Sequence, residues 1–160
     1  MRILALVTTR RPPVPDAADL GDRARLIATH GEAAERTGLA SEGFGAVAGH
    51  QGRLLAALDA GPSSVRALSG QLGVSAQAIS KVATDLAGRG YVTVSPDPAD
   101  GRARVLRLTA LGEAFLTARR KVRGAVAREQ QRWLGTRDFA ELVRLLQALG
   151  ELYEPPDRRA

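Results

Sequence analysis

Cysteine is absent from this chain of 160 residues, and that absence removes disulfides, thiolate nucleophiles, peroxide-sensing thiols and sulfur-ligated metals together. Histidine is nearly absent as well. With only His30 and His50, a zinc site would need carboxylates to complete it, and no spacing of the H-E-x-x-H kind offers one. No metal or other cofactor is therefore expected. Long apolar runs are missing too: the longest near the start, Ile3 to Val7, is five residues, short of a signal peptide's apolar region and far short of a membrane span. The expectation is a chain without a membrane anchor, with the cytoplasm as its default location. Enzymatic chemistry is disfavoured on the same kind of ground. There is no thiol and no Gly-rich phosphate loop, and the two histidines stand twenty residues apart with no nucleophile motif beside them.

What is present is 44% hydrophobic content, enough for one domain, or one compact domain carrying helical extensions. The net charge of +6 is unevenly placed. Residues 81–132 hold eleven Lys or Arg against five Asp or Glu, so the rest of the chain sums to zero. A basic excess confined to one third of a sequence reads either as a footprint for a polyanion or as arginines decorating solvated faces, and charge alone leaves both open.

Residues 1–16 end in Thr8-Thr9-Arg10-Arg11-Pro12-Pro13-Val14-Pro15, where the prolines favour an extended arm over helix or strand. Its arginines can reach nucleic acid, but an untethered tail is the preferred reading. From Asp19 to Leu39 the composition predicts a helix, with Leu20, Ala24, Ile27 and Ala34 sharing one side and Leu39 less regularly placed. Gly43, Gly45 and Gly49 around Phe44 and Val47 then predict a bend. Residues 17–49 form one unit on this reading, a helix and a bend.

Leu54, Leu55 and Leu58 lie at helical spacing before the stop at Gly61-Pro62. A short helix follows, capped by Ser64, with Val65, Leu68 and Leu72 inward and Gly73 at its end. Ser75 caps another that runs to about Gly88, with Ile79, Val82 and Leu86 inward. Two short helices joined at a glycine fit a helix-turn-helix. The inward stripe of the second leaves Ser75, Gln77, Ala78, Ser80, Lys81 and Thr84 outward. Small residues let a backbone approach base pairs, Gln pairs bidentately with adenine, and Lys reaches guanine or phosphate. Ser64 joins these as a DNA-facing candidate. An ordinary solvated helix face would look similar.

Next come two alternating, β-branched runs, Tyr91 to Ser95 and Arg104 to Leu108, around eight residues with two Pro, two Asp and one Gly. This is a β-hairpin directly after a helix-turn-helix, which makes it a wing. Arg102 falls at its tip, where an arginine can enter a minor groove, and Asp100 can orient it. Arg104 and Arg107, on the returning strand, are better placed for phosphates or solvent.

The stretch from His50 to Gly112 resembles the MarR family of winged helix-turn-helix transcription regulators. The wing signature of that family, Asp-x-Arg, five residues and Leu-Thr, occurs as Asp100-Gly101-Arg102, Ala103 to Arg107, and Leu108-Thr109. Its preface, "DPAD", its continuation, "ALG" at Ala110 to Gly112, and "LSGQLGVSAQAISKVATDLAGRGYV" upstream are similar to the family's helix pair and wing entry. The glycine-rich junction at Ser41 to Gly49 and the arm before Asp16 depart from the family pattern.

The resemblance implies a mainly α (α+β) winged helix, with a DNA-binding domain at residues 50–112 and dimerisation helices on both sides. It also implies a small aromatic or anionic effector held between winged domain and dimer helices. Candidate pocket residues are His30, Phe44, His50 and Arg53, Arg53 being able to pair a carboxylate. The residues agree with the dimer. From Thr109 a long helix runs to about Leu134, with Leu111, Phe115, Ala118, Val122 and Val126 at helical spacing, and a last helix carries Phe139, Leu142, Leu145, Leu146, Leu149, Leu152 and Tyr153. So leucine-rich a stripe needs a partner, and the helices of residues 109–160, with Leu20 and Ile27, are expected to project from a core built of residues 50–108 and to meet a second copy. The expected function is sequence-specific DNA binding by a dimeric regulator, a ligand-responsive repressor on a pseudo-palindromic operator. A winged helix used only for protein interaction is the alternative.

Overall fold

The computed structural model describes residues 19–97 and 103–153. Six helices and a three-stranded antiparallel sheet follow one another as α1 (Leu20–Ser41), α2 (Gly49–Ala57), β1 (Ser63–Ser64), α3 (Val65–Leu72), α4 (Ala76–Gly88), β2 (Val92–Pro96), β3 (Arg104–Leu108), α5 (Ala110–Leu134) and α6 (Thr136–Tyr153). The predominantly helical winged-helix class expected from the sequence is the fold observed. The 1–16 arm, Asp100 and Arg102 lie outside the described residues.

The local signals act as their chemistry requires. Ser64 Oγ accepts from the Ala67 N–H at 3.1 Å, Ser75 Oγ from Ala78 at 3.2 Å, and Thr109 Oγ1 from Gly112 at 3.2 Å, so α3, α4 and α5 each begin on a hydroxyl that satisfies an otherwise unpaired helix donor. Between α3 and α4 the chain turns at Gly73, whose φ of +66° is open to glycine at little cost. Gly112 is needed for a different reason. A side chain there would collide with the Tyr91 carbonyl and with Leu108, so the start of α5 rests directly on the base of the hairpin.

β3 is the central strand, pairing Val92 with Leu108 through Pro96 with Arg104 on one side, and Ser63 with Leu106 and Ser64 with Val105 on the other. The two-residue β1 has no sequence signal. Two serines carry no apolar alternation, and only the neighbouring β3 makes them a strand.

The core corrects one expectation. It is not confined to residues 50–108. Leu54, Leu55, Leu58, Leu68, Ile79, Leu86 and Leu106 are joined in one buried cluster by Leu39 of α1, Val47 of the bend, and Phe115, Leu116, Ala118 and Val122 of α5. Phe44, Tyr91 and Phe115 meet with ring centroids 5.6 to 6.5 Å apart, so three of the six aromatic residues close one junction between the bend, the hairpin and α5. The first half of α5 is therefore part of the winged domain's interior. Within α4 the inward stripe is Ile79, Ala83 and Leu86, with Val82 only half-buried. Leu111, placed on the α5 stripe by spacing, is exposed.

Outside this core the chain is poorly covered. Every residue from Asp19 to His30 is exposed, as is every residue of α6 from Ala140 to Leu152. Leu20, Leu26, Ile27, Leu142, Val143, Leu145, Leu146, Leu149 and Leu152 are among them, and so is Trp133 at the end of α5, 60% exposed.

Candidate nucleic-acid interface

Ser75, Gln77, Ala78, Ser80, Lys81 and Thr84 are all exposed on α4, while Ile79, Ala83 and Leu86 anchor the opposite side. Their hydrogen bonds divide them. Ser75 is the cap, and the hydroxyls of Ser80 and Thr84 donate back to the carbonyls of Ala76 at 2.9 Å and Ser80 at 3.0 Å, which commits their protons and leaves only their lone pairs. Gln77 and Lys81 have no partner among the described residues. With Ser75, whose hydroxyl accepts at the cap and keeps its own proton, they are the side chains of this face with donors to spare.

Arg104 and Arg107 on β3 are exposed and form no ion pair among the described residues. Arg66, in the first turn of α3 beside the half-buried Ser64, is likewise exposed and unpaired among them. Periodicity passes over it because it sits between the inward positions Val65 and Leu68. A cation in the first turn of the leading helix of the pair is the signal that marks it.

The basic window 81–132 resolves into two kinds of charge. On α5, Arg119 pairs with Glu35 at 2.5 Å, Arg123 with Glu35 at 3.4 Å, Arg120 with Asp59 at 3.0 Å and Lys121 with Glu42 at 2.7 Å. All three acids lie outside the window. That portion of the excess belongs to intrachain packing, and among the described residues the window leaves Lys81, Arg104 and Arg107 unpaired around the helix-turn-helix, joined from outside it by Arg66.

The four pocket candidates have different surroundings. Phe44 is packed against the core in the aromatic junction, whereas His30 on α1 and His50 and Arg53 on α2 are exposed. None of the four lines the groove of about 530 Å³ between the end of α2, β3 and α5, which is bordered by Leu58, Asp59, Arg107, Leu116, Thr117 and Arg120, among others. Among the described residues there is no group of three His, Asp or Glu able to hold a metal, and no helix long and apolar enough to cross a membrane.

Residues 47–103 match the model of the MarR family. No curated relative matches the sequence. Among solved structures, the chain is similar to the transcriptional regulator Tm0710 from Thermotoga maritima, with 25% identity, 84% of this chain and 94% of that chain covered, and a TM-score of 0.59. RV1404 from Mycobacterium tuberculosis is 24% identical over 91% of this chain and all of its own, with a TM-score of 0.69. A mutant MarR from E. coli, solved in complex with operator DNA, is 20% identical over 84% of this chain and 99% of that chain, with a TM-score of 0.70. Turn, capped helix pair, hairpin and spacing agree with the match of residues 47–103 to the MarR family model, and over most of its length the chain has the fold of the MarR regulators.

Proposed function

We propose that the chain is a dimeric transcriptional regulator that reads a pseudo-palindromic DNA site and represses from it until a small anionic effector releases it. The observation that carries this reading is the outer face of α4: small, polar and cationic, anchored on its far side, with Gln77 and Lys81 free to reach base edges or phosphates. Ser64, Arg66, Arg104 and Arg107 supply flanking hydroxyl and cationic groups, and the hairpin leads to Asp100 and Arg102. A structure of a similar protein on operator DNA supports the same use of the fold. The dimer is supported by the exposed leucines of α6 and by Leu20 and Ile27 of α1, an apolar surface that a solitary chain would leave in water.

The groove bordered by Arg107 and Arg120 over the apolar side chains of Leu58 and Leu116 has the size of a small-molecule site, and it touches both the wing strand and α5. A protein-interaction module would present an apolar patch on α4, and this face is polar.

The test is selection of duplexes from a random pool, followed by gel shift. Sequence-specific capture is expected, with Gln77→Ala relaxing base preference by about 1–3 kcal/mol at the position it reads. Half-sites about 10 base pairs apart are expected, and inserting half a turn should abolish binding. Binding of every duplex alike would overturn the reading. For the effector, calorimetry with aromatic acids should give weaker binding to the DNA complex than to free protein, because a roughly 100-fold loss of DNA affinity requires about 2.7 kcal/mol of reciprocal coupling.

A further inference from the structure

Arg89 sits at the carboxyl end of α4, opposite the end that begins the reading face, and its guanidinium gathers three separate parts of the chain. One nitrogen, Nη2, donates to the Ala46 carbonyl in the connector between α1 and α2 at 3.0 Å. The other, Nη1, donates to Gln51 Oε1 of α2 at 3.2 Å and to Asp85 Oδ2 of α4 itself at 3.2 Å. Gln51 closes the ring, donating from Nε2 to Asp85 at 2.6 Å while its Oε1 also accepts from the Ala48 N–H at 2.8 Å. Below, the guanidinium carbon lies 5.2 Å from the centre of the Tyr91 ring, itself part of the aromatic junction with Phe44 and Phe115.

The apolar inner side of α4 can hold the helix down, but Ile79, Ala83 and Leu86 offer no directional bond to fix its rotation. The Arg89 fork does. A planar guanidinium with partners on two edges and a ring beneath it admits little rotation, and lysine, with one nitrogen, could not span the same set. The connector it grips leads straight into α1, one of the two helices whose unpartnered apolar surface marks it for the dimer. From Ser75 to Arg89 is about 21 Å at helical rise, so a small tilt about the Arg89 end becomes a displacement of the reading face at the other end.

We propose that Arg89 is a positioning residue: with Gln51 and Asp85 it locks α4 to the α1–α2 connector, and so sets the spacing between half-sites that the dimer accepts. This rests on the reading of the chain as a dimeric DNA binder.

The test uses the full-length chain and duplexes selected by it from a random pool, rebuilt with one or two base pairs added to or removed from the spacer. The parent is expected to lose about 100-fold in affinity at the wrong spacing, the order expected when a duplex must be deformed to fit, whereas Arg89→Gln should lose at most about tenfold. Preference among single-base variants within a half-site should not change, because Arg89 touches none of the reading face, and a merely structural loss would weaken all duplexes in proportion. Asp85→Asn, a milder change in the same ring, should broaden the spacing profile in the same direction and serves in place of Arg89→Gln if that variant does not fold. A spacing profile identical to the parent's in whichever variant folds would overturn the inference. A parent indifferent to spacing would instead overturn the dimeric reading beneath it.

Discussion

Two groups of cations close together in sequence meet opposite fates in this fold. Arg119, Arg120, Lys121 and Arg123 on α5 all find carboxylates, supplied by Glu35 of α1, Glu42 of the bend and Asp59 after α2. Lys81, Arg104 and Arg107, with Arg66 on α3, find none among the described residues. The first group holds α1 and α2 against α5. The second has its charge free for something outside the chain. A linear window of charge does not distinguish them, because neutralisation is decided by which elements cross, and α5 crosses the acidic ones.

The contrast can be broken at several points, and the largest effect is expected where apolar surface takes the place of charge. Removing residues 136–160 deletes the α6 leucines, and light scattering should report a monomer or an aggregate in place of a dimer, with DNA binding lost; a dimer that still binds would refute the interface. Next, replacing Lys81, Arg104 and Arg107 with alanine should leave thermal stability within about 0.5 kcal/mol of the parent, as for other exposed and unpaired side chains. The same variant should reduce the slope of log affinity against log salt by about 0.9 for each phosphate that is no longer neutralised. Arg119→Ala should show the inverse pattern. Glu35, only 21% exposed in the intact chain, would keep just the longer pairing to Arg123, and the Gly52 carbonyl would lose its 3.3 Å donor, so a stability loss of about 1–3 kcal/mol with an unchanged salt slope is expected. Arg120→Ala is the smallest: both partners of its pair with Asp59 are more than half exposed, and denaturant melts should move by no more than about 0.5 kcal/mol. A steep change in salt slope from either α5 variant would mean that the paired cations also face DNA.

Local signals are legible in the sequence and distant ones are not. Ser64, Ser75 and Thr109 mark helix starts because a capping hydroxyl acts three residues away, and the Gly73 turn and the Arg104 to Leu108 strand follow from equally short-range rules. The spacing of Phe115 and Val122 shows a helix face but not its partner. They read as part of a projecting dimer helix, whereas Phe115 fills the junction with Phe44 and Tyr91, because the crossing of α5 over α1 is not written at either site alone. β1 is invisible for the same reason. On the reading face, periodicity chooses the outward residues of α4, but it cannot tell Gln77 and Lys81 from Ser80 and Thr84, whose hydroxyl protons go to their own helix. Of the fork at Arg89 only the i,i+4 pairing with Asp85 is legible, since Gln51 and Ala46 stand 38 and 43 positions away.

The chain's one tryptophan has a consequence for measurement. Trp133 stands at the end of α5, 60% exposed, at the elbow where α6 turns away, and the other aromatic residues are three phenylalanines and two tyrosines. Excited at the red edge of protein absorption, the molecule therefore has a single emitter, and it sits outside both the aromatic junction and the α4 face. Its colour reports the wetness of that elbow alone. A shift to the blue on raising protein concentration, with no shift on adding DNA at saturating concentration, would separate assembly from DNA recognition without any label.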